Sequence, residues 1–144
     1  MNSRGHKFIE LSKISDGRGD LSFIETERHV PFNIKRLYFV YNVPRNQVRG
    51  NHAHKSLHQF IMAISGSFSI ILDDGIHKRR KYRLIKPNVG LYIPPMVWRE
   101  LHNFSDDAVC LCLVSEFYDE DDYIRNYDDF MKIVKKLKAA RKDH

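Results

Sequence analysis

The sequence predicts an all-β protein, a β-sandwich or barrel, that ends in a single α-helix. Three observations support this prediction. Apolar residues recur at every second position through most of the chain, in segments rich in Ile, Val, Phe and Tyr, as is typical of β-strands. Gly, Pro, Asp and Asn separate these segments at short intervals, as turns require. The helical period of 3.6 residues occurs only near the C-terminus.

Eight segments alternate in the way that half-buried strands do. In chain order they are KFIEL, LSFIET, KRLYFVYNV, HQFIMAIS, SFSIIL, KYRLI, GLYIP and AVCLCLVS. Turn signals lie between them, in DGRGD, NVPRN, DDG and KPN. Asp74 and Gly75 separate SFSIIL from KYRLI, so these two strands are predicted to form a hairpin. Many short strands at close spacing favour a sandwich or a barrel.

The last segment, DDYIRNYDDFMKIVKKLKAA, is predicted to be helical. Its large apolar residues recur at intervals of three or four: Tyr123, Tyr127, Phe130, Val134 and Leu137. This stripe would pack on the barrel or on a partner chain. A chain of 144 residues fits one domain with its own core. We predict that domain over residues 1–131 and a basic helix end or tail over residues 132–144.

The positive charge of the chain is concentrated at its C-terminus. The formal net charge is +6, but residues 132–144 hold six of the 24 Lys and Arg residues and only one of the 18 Asp and Glu residues. The remainder is therefore nearly neutral, and it shows no basic strand interleaved with aromatic residues, as nucleic-acid-binding domains do. We expect the cations to stabilise a helix C-terminus and expect no nucleic-acid partner.

The sequence gives no signal for a membrane or for secretion. No apolar stretch approaches the roughly 20 residues that span a bilayer. The first residues, MNSRGHKFIELSK, lack the apolar run of a signal peptide. We predict a cytoplasmic protein without a membrane partner.

Histidines cluster in the stretch RGNHAHKSLHQF, residues 49–60. His52 and His54 are two positions apart, so on a strand both side chains would point to the same face. Such a pair is typical of a metal site, of an acid–base site or of hydrogen-bonded pocket residues. The pair alone does not decide among these.

The histidine stretch resembles the first motif of the cupins. Gly-x-His-x-His-x4-Gln-x6-Gly runs from Gly50 to Gly66, but Gln59 stands where the usual motif has Glu. The second motif resembles GLYIPPMVWRELHN, where Trp98 stands near the place of a third His. An amide and an indole therefore replace two ligands, and two imidazoles alone bind a divalent ion poorly. We expect no metal and no other cofactor. Imidazole titrates near neutral pH, which favours an acid–base pair.

A larger set of segments is similar to one enzyme family. DGRGDLSFIE, PFNIKRLYFVYNVP, RGNHAHKSLHQF, GSFSIILDDG, GLYIPPMVWRE and DYIRNYDDF, in this order, resemble the nucleotide-sugar 3,4-ketoisomerases, small cupins of deoxysugar biosynthesis. The resemblance implies a cupin jelly roll, no metal, and a homodimer that exchanges N-terminal strands. It implies dTDP-4-keto-6-deoxyglucose as substrate and the 3-keto isomer as product, which an aminotransferase converts to a 3-amino sugar. The configuration of the product at C4, gluco or galacto, stays open.

The resemblance places the essential histidines of the family on His52 and His54. Moving a ketone from C4 to C3 requires a base that removes the C3 proton and a donor that protonates C4, by way of an enediol. We expect His52 to be the base and His54 to shuttle the oxygen-bound proton or orient the sugar, a division that the sequence leaves open. Tyr38 is the third candidate catalytic residue, since its phenol can donate to a sugar oxygen.

Six further residues are candidate substrate-binding groups. Arg binds phosphate oxygens through two parallel hydrogen bonds, so Arg18 in DGRGD, Arg49 beside the histidines and Arg99 are candidates for the diphosphate. Trp98 fits a residue that stacks on the substrate and a core residue equally well. The remaining two candidates are polar: Gln59 and Glu100.

Three other functions fit parts of the pattern. A 3,5-epimerase of the same substrate would share the barrel but leave the ketone at C4. A metal-free cupin that only binds a nucleotide sugar would show no turnover. A metal-dependent dioxygenase is disfavoured by Gln59 and Trp98. The preferred hypothesis is a cofactor-free isomerase.

Overall fold

The computed structural model describes residues 5–142, which form two five-stranded sheets, one two-stranded sheet and a C-terminal helix. The strands are β1 (Lys7–Glu10), β2 (Ile14–Asp16), β3 (Gly19–Leu21), β4 (Arg36–Tyr41), β5 (Arg49–His54), β6 (Gln59–Ser65), β7 (Phe68–Asp73), β8 (Arg80–Leu84), β9 (Val89–Ile93), β10 (Trp98–His102), β11 (Val109–Val114) and β12 (Tyr123–Ile124). A 3₁₀ turn (Glu120–Asp122) precedes β12, and helix α1 (Tyr127–Lys142) follows it.

The two large sheets face each other across the main core. The first has the order β1-β9-β6-β11-β4 and the second the order β12-β5-β10-β7-β8, with antiparallel pairing throughout. Alternate residues of both sheets fill the space between them, among them Ile61, Ile70, Leu91, Leu101 and Cys112. The predicted all-β class with a C-terminal helix is confirmed, and the arrangement is that of a jelly roll.

Each large sheet is also covered on its outer face. The segment that holds Val30 and Phe32 packs on Phe60, Met62 and Tyr92 of the first sheet. Helix α1 packs on the second sheet, where its buried residues Phe130 and Val134 lie in one cluster with three strand residues: Ala53, Trp98 and Ile124. The helix therefore covers the outer face of the second sheet around Ala53 and Trp98.

Most predicted strands are present, and LSFIET is the exception. Only Leu21 of that segment belongs to a strand, β3. The chain then turns, because the Thr26 hydroxyl accepts from the Ile34 backbone N–H at 2.8 Å and Glu27 adopts a φ of 61°. Ile24 packs against the outer face of the first sheet without joining it. The hairpin predicted around Gly75 is confirmed by the pairing of β7 with β8.

Helix α1 begins later than the apolar stripe predicts. Tyr123 and Ile124 form β12, which pairs with His54 and Ala53 of β5. The helix then begins at Tyr127, where Asn126 Oδ1 accepts from the Asp129 backbone N–H at 3.0 Å and caps the first turn.

Helix α1 crosses the domain boundary that we predicted between residues 131 and 132. Residues 1–4 and 143–144 of those two predicted ranges lie outside the described residues. Within residues 5–142, no helix has the length and apolar character that crossing a bilayer would require.

Candidate active site

Strand β5 turns both histidines toward the space between the sheets. Gly50 and Asn51 have positive φ values of 86° and 58°, and the pairing of β5 with β10 shifts register beside them, which marks a β-bulge. Gly50 is required there, since a Cβ would lie 3.0 Å from the Arg99 carbonyl oxygen. Ala53 packs under helix α1, so His52 and His54 on either side of it point inward.

His52 is an uncharged imidazole with one free nitrogen. Its Nδ1 lies 3.1 Å from the Gly50 carbonyl oxygen, which can only accept, so Nδ1 carries the proton. The unprotonated Nε2 is buried and has no hydrogen-bond partner among residues 5–142. Burial, and after it the charge of Arg99, lowers the pKa of His52 to about 3. The ring therefore offers a lone pair to a ligand at neutral pH.

His54 is held by a carboxylate. Its Nδ1 donates to Asp122 Oδ2 at 3.1 Å, and its side chain is almost fully buried. The carboxylate would favour a charged ring, but burial and the nearby Arg99 and His52 outweigh it and lower the pKa of His54 to about 2. The two imidazoles meet edge to face with their ring centres 4.8 Å apart. The structure thus places two uncharged imidazoles side by side.

A chain of hydrogen bonds crosses from the second sheet to the first. Arg99 Nη1 donates to Gln59 Oε1, and Gln59 Nε2 donates to the Tyr38 hydroxyl oxygen at 2.9 Å. Because arginine can only donate, the Gln59 amide has one orientation, and Tyr38 is left with its own proton to donate. A glutamate at position 59 would instead accept that proton. Burial holds the pKa of Tyr38 well above its usual range, so the phenol stays a donor.

Arg99 is the fixed positive charge of the site. Its side chain is fully buried, and Nη2 donates to the Val97 carbonyl oxygen at 2.8 Å. Its Nε is buried without a hydrogen-bond partner in the described part of the chain, as is Nε2 of His52. Burial lowers the pKa of Arg99 to about 10, which leaves the group charged at neutral pH. A buried cation with an unused donor suits a ligand oxygen that gains negative charge.

Three residues of the site escaped the sequence-based prediction. Asp122 and Tyr123 come from residues 119–124, a segment after β11 that we call the strap. The Tyr123 ring centre lies 4.4 Å from that of His54 and 5.0 Å from that of His52. Cys112 of β11 lies opposite Tyr38 of β4 in the first sheet. The segment DYIRNYDDF is one of those that carry the family resemblance, but no spacing rule connects Asp122 with a histidine 68 positions away.

The structure does not bring Trp98 and Glu100 to the histidines. Both alternate with Arg99 on β10 and so lie on the outer face of the second sheet. The Trp98 ring packs against Tyr127 and Phe130 of the helix, and its Nε1 donates to Glu100 Oε2 at 3.1 Å. The inward-facing residue between Trp98 and Glu100 is Arg99, so the inward side chain near the place of the third ligand in the motif is a guanidinium.

Arg18 and Arg49 also lie apart from the histidines within one chain. Arg18 is at the turn between β2 and β3, 91% exposed, and pairs with Asp16 at 2.8 Å. Arg49 begins β5, at the opposite end of the strand from His54, and lines a groove with the residues that follow β4. Of the nine candidates, the structure groups five: Tyr38, His52, His54, Gln59 and Arg99.

The grouped residues do not fit a divalent metal ion. Within residues 5–142, no three His, Cys, Asp or Glu side chains are clustered as metal ligands. The Arg99 guanidinium lowers the pKa of both histidines through its charge, and such a charge repels a second cation. Two uncharged bases, a phenol donor and a buried cation are instead the groups that move protons beside a carbonyl.

Comparison with known protein families shows which family the chain belongs to. A family described as "FdtA: WxcM-like, C-terminal" matches residues 4–135.

The chain belongs to the FdtA family.

Relatives of this FdtA-family chain are sugar isomerases. A TDP-4-oxo-6-deoxy-alpha-D-glucose-3,4-oxoisomerase from Aneurinibacillus thermoaerophilus is 44% identical over 136 residues, 94% of this chain and 97% of the relative. The TDP-quinovose 3,4-ketoisomerase WlaRB from Campylobacter jejuni is 46% identical, with a TM-score of 0.85 over 90% of this chain and 98% of that one.

A third relative was crystallised with a sugar nucleotide. It is a histidine-to-asparagine mutant of the 3,4-ketoisomerase QdtA from Thermoanaerobacterium thermosaccharolyticum, in complex with TDP-4-keto-6-deoxyglucose. It is 41% identical to this FdtA-family chain, with a TM-score of 0.89 over 92% of this chain and 96% of that one. A dTDP-4-dehydrorhamnose 3,5-epimerase from Bacillus anthracis is only 18% identical, at a TM-score of 0.74, and shares the fold alone.

The uncharged histidines predict a loss of stability in mild acid. The pKa of each is lower in the folded chain than the ~6.5 of an unfolded chain. The unfolded chain therefore binds more protons than the folded chain below pH 6.5. As the pH falls, each histidine lowers the free energy of unfolding by up to about 1.4 kcal/mol for each pH unit. This loss begins at about pH 6.5, above the range in which most carboxyl groups titrate.

His52→Asn should make the fall in stability between pH 6.5 and pH 5 shallower by up to that amount, as measured by urea denaturation. The control is His77→Asn, at a side chain that is 76% exposed. Equal slopes in wild type and His52→Asn would show that His52 is not held uncharged by the fold.

Proposed function

We propose that this chain is an isomerase that moves the keto group of dTDP-4-keto-6-deoxyglucose from C4 to C3. The 3,4-ketoisomerase relatives, at 41–46% identity over nearly the whole chain, support this substrate and reaction. The observation in this chain that carries the proposal is a pair of buried atoms, Nε2 of His52 and Nε of Arg99, that have no hydrogen-bond partner within residues 5–142. The two residues are paired across β5 and β10. A base next to a cation is what enolisation of a ketone requires.

We propose that His52 removes the proton from C3. The neighbouring C4 carbonyl acidifies this C–H bond, and the electron pair moves to form the C3–C4 double bond of an enediolate. Because the ring is uncharged at neutral pH, Nε2 can accept the proton and later return it to C4. The bond of Nδ1–H to the Gly50 carbonyl fixes which nitrogen takes the proton.

Arg99 and Tyr38 stabilise the enediolate in this scheme. The negative charge develops on the oxygen of the former carbonyl, and the Tyr38 hydroxyl and the Arg99 Nε are donors that need no reorientation. The Gln59 amide is hydrogen-bonded to both residues: its Oε1 accepts from Arg99 Nη1, and its Nε2 donates to the Tyr38 hydroxyl oxygen at 2.9 Å. His54 exchanges protons with the sugar oxygens.

The chemistry of the product indicates which class of reaction would follow. A ketone at C3 is the group that an aminotransferase converts to an amine, so an enzyme of this class would consume the product. The second uncharged imidazole, His54, favours a ketoisomerase over a 3,5-epimerase. An epimerase leaves the ketone at C4 and needs no proton transfer between the O3 and O4 oxygens. Distant epimerases share only the fold with this chain.

Replacing His52 tests the proposal. His52→Asn should abolish formation of the 3-keto sugar, a loss of at least 10²-fold, because general base catalysis contributes about that much or more. Binding of dTDP should change little, since the Asn amide can still donate to the Gly50 carbonyl. Turnover is followed by proton NMR and binding by calorimetry, with His77→Asn as control. Parallel losses of turnover and binding would make His52 a structural residue.

We propose that two chains form a homodimer in which the β2–β3 hairpin reaches the other chain. The outer face of the edge strand β4 exposes three large apolar side chains, Leu37, Phe39 and Tyr41, each more than half exposed. The hairpin exposes Ile14 and Leu21 to a similar degree. Among the described residues the β2–β3 hairpin forms a separate two-stranded sheet, whereas β1 belongs to the first large sheet, and we therefore propose the hairpin as the exchanged segment.

Such a dimer would give Arg18 a role in binding. The residue lies at the turn of the hairpin, where its guanidinium could reach a diphosphate bound in the other chain. Arg18→Ala should then weaken dTDP binding several-fold without changing the dimer observed by sedimentation, with Arg28→Ala, also strongly exposed, as control. An unchanged dissociation constant for dTDP would remove Arg18 from the site, and a monomer in wild type would refute the dimer.

A further inference from the structure

Asp122 holds the catalytic end of β5 by three separate hydrogen bonds. Its Oδ2 accepts from His54 Nδ1 at 3.1 Å, and its Oδ1 accepts from the Ser56 backbone N–H at 2.8 Å. Its backbone carbonyl accepts from the Lys55 N–H at 2.9 Å. The carboxyl side chain is only 11% exposed. Both oxygens of one largely buried carboxylate therefore accept hydrogen bonds from the same segment, residues 54–56.

This arrangement fixes the tautomer of His54. A carboxylate can only accept, so the proton of the neutral ring must reside on Nδ1, and Nε2 must carry the lone pair. If Nε2 accepted a further proton, the charge that appears on the ring would face the Asp122 carboxylate. Such a carboxylate stabilises the imidazolium formed during a proton transfer and orients the ring.

We propose that Asp122 is a positioning residue that makes His54 the carrier of the oxygen-bound proton, while His52 carries the carbon-bound proton. This inference rests on the proposed function. It assigns different protons to two neighbouring imidazoles, and it assigns Asp122 a role in only one of the two transfers. Asp122 acts through His54 and touches no reacting atom.

The two proton transfers leave the substrate with the same atoms and charge. His52 takes the proton from C3 and returns it to C4. His54 Nε2 takes the proton from the hydroxyl on C3, so that the C3 oxygen becomes the new carbonyl, and gives it to the oxygen on C4, which becomes a hydroxyl. No electrons leave the substrate, and both imidazoles end uncharged.

One substitution at position 122 should change the tautomer of His54 without releasing the strap from β5. In Asp122→Asn, the amide oxygen can still accept from the Ser56 N–H, while the amide nitrogen faces His54 Nδ1. An amide nitrogen can only donate, so Nδ1 must become the acceptor and the proton must move to Nε2. Asp121→Asn is the matched control, because it removes the same charge from an exposed neighbour whose side chain has no hydrogen bond to a histidine among residues 5–142.

The experiment compares wild type, Asp122→Asn and Asp121→Asn in D₂O with dTDP-4-keto-6-deoxyglucose. Proton NMR follows two rates, the exchange of deuterium into C3 of recovered substrate and the appearance of the 3-keto sugar. Long-range ¹H–¹⁵N NMR of the free protein follows the tautomer of His54. Thermal unfolding of each variant is recorded in parallel.

Asp122→Asn should lower ketone migration by about 10²-fold, the lower range of an acid–base contribution, because the Nε2 lone pair is lost. Exchange at C3 should stay within about threefold of wild type, because His52 is untouched, and the ¹⁵N spectrum should show the proton of His54 on Nε2. Asp121→Asn should match wild type in all three measurements.

Three results would overturn the inference. One is a wild-type spectrum with the proton of His54 on Nε2, which needs no variant to fold. Another is ketone migration in Asp122→Asn within threefold of the Asp121→Asn control. The third is an equal fall of exchange and migration with the tautomer unchanged, which would make Asp122 structural only. If wild type forms no 3-keto sugar but the tautomer reverses in Asp122→Asn, positioning by Asp122 stands and the proposed function fails.

Discussion

The site depends on one buried cation, the guanidinium of Arg99, between two sheets. A charge in that place is costly unless it is hydrogen-bonded, and the Val97 carbonyl and the Gln59 amide supply these bonds. The same charge helps to keep both histidines uncharged, and it orients Gln59 so that Tyr38 remains a donor. The states of the base, the amide and the phenol thus follow from the position of one side chain.

The fold explains how these groups come together. Each strand of a two-layer sandwich offers alternate residues to the interior, and β4, β5, β6 and β10 each contribute to the cluster. The opposite faces of β5 and β10 are occupied by helix α1, which packs on Ala53 and Trp98. The strap at residues 119–124 then closes the end of β5 through Asp122 and the short strand β12.

Much of the fold and more than half of the site can be predicted from the sequence, because those signals are local. Alternation indicates most strands, and the two-residue spacing of His52 and His54 places them on one face. Trp98 is expected at the place of a metal ligand, but it faces outward, and its neighbour Arg99 is the residue that faces the interior there. A one-residue change of register reverses the face of every side chain, and the bulge between β5 and β10 is not visible in composition. Asp122 cannot be found in this way, because its link to His54 exists only in three dimensions.

The most direct test of the proposed isomerisation is the position of the ketone after reaction. EDTA-treated protein would be mixed with dTDP-4-keto-6-deoxyglucose and a 3-aminotransferase to trap the product, and proton NMR would identify the sugar. We expect a 3-amino sugar that appears only when the protein is present, and its C4 coupling constants would report the configuration at that carbon. A ketone that stays at C4, with dTDP still bound, would contradict the catalytic roles proposed for His52 and His54.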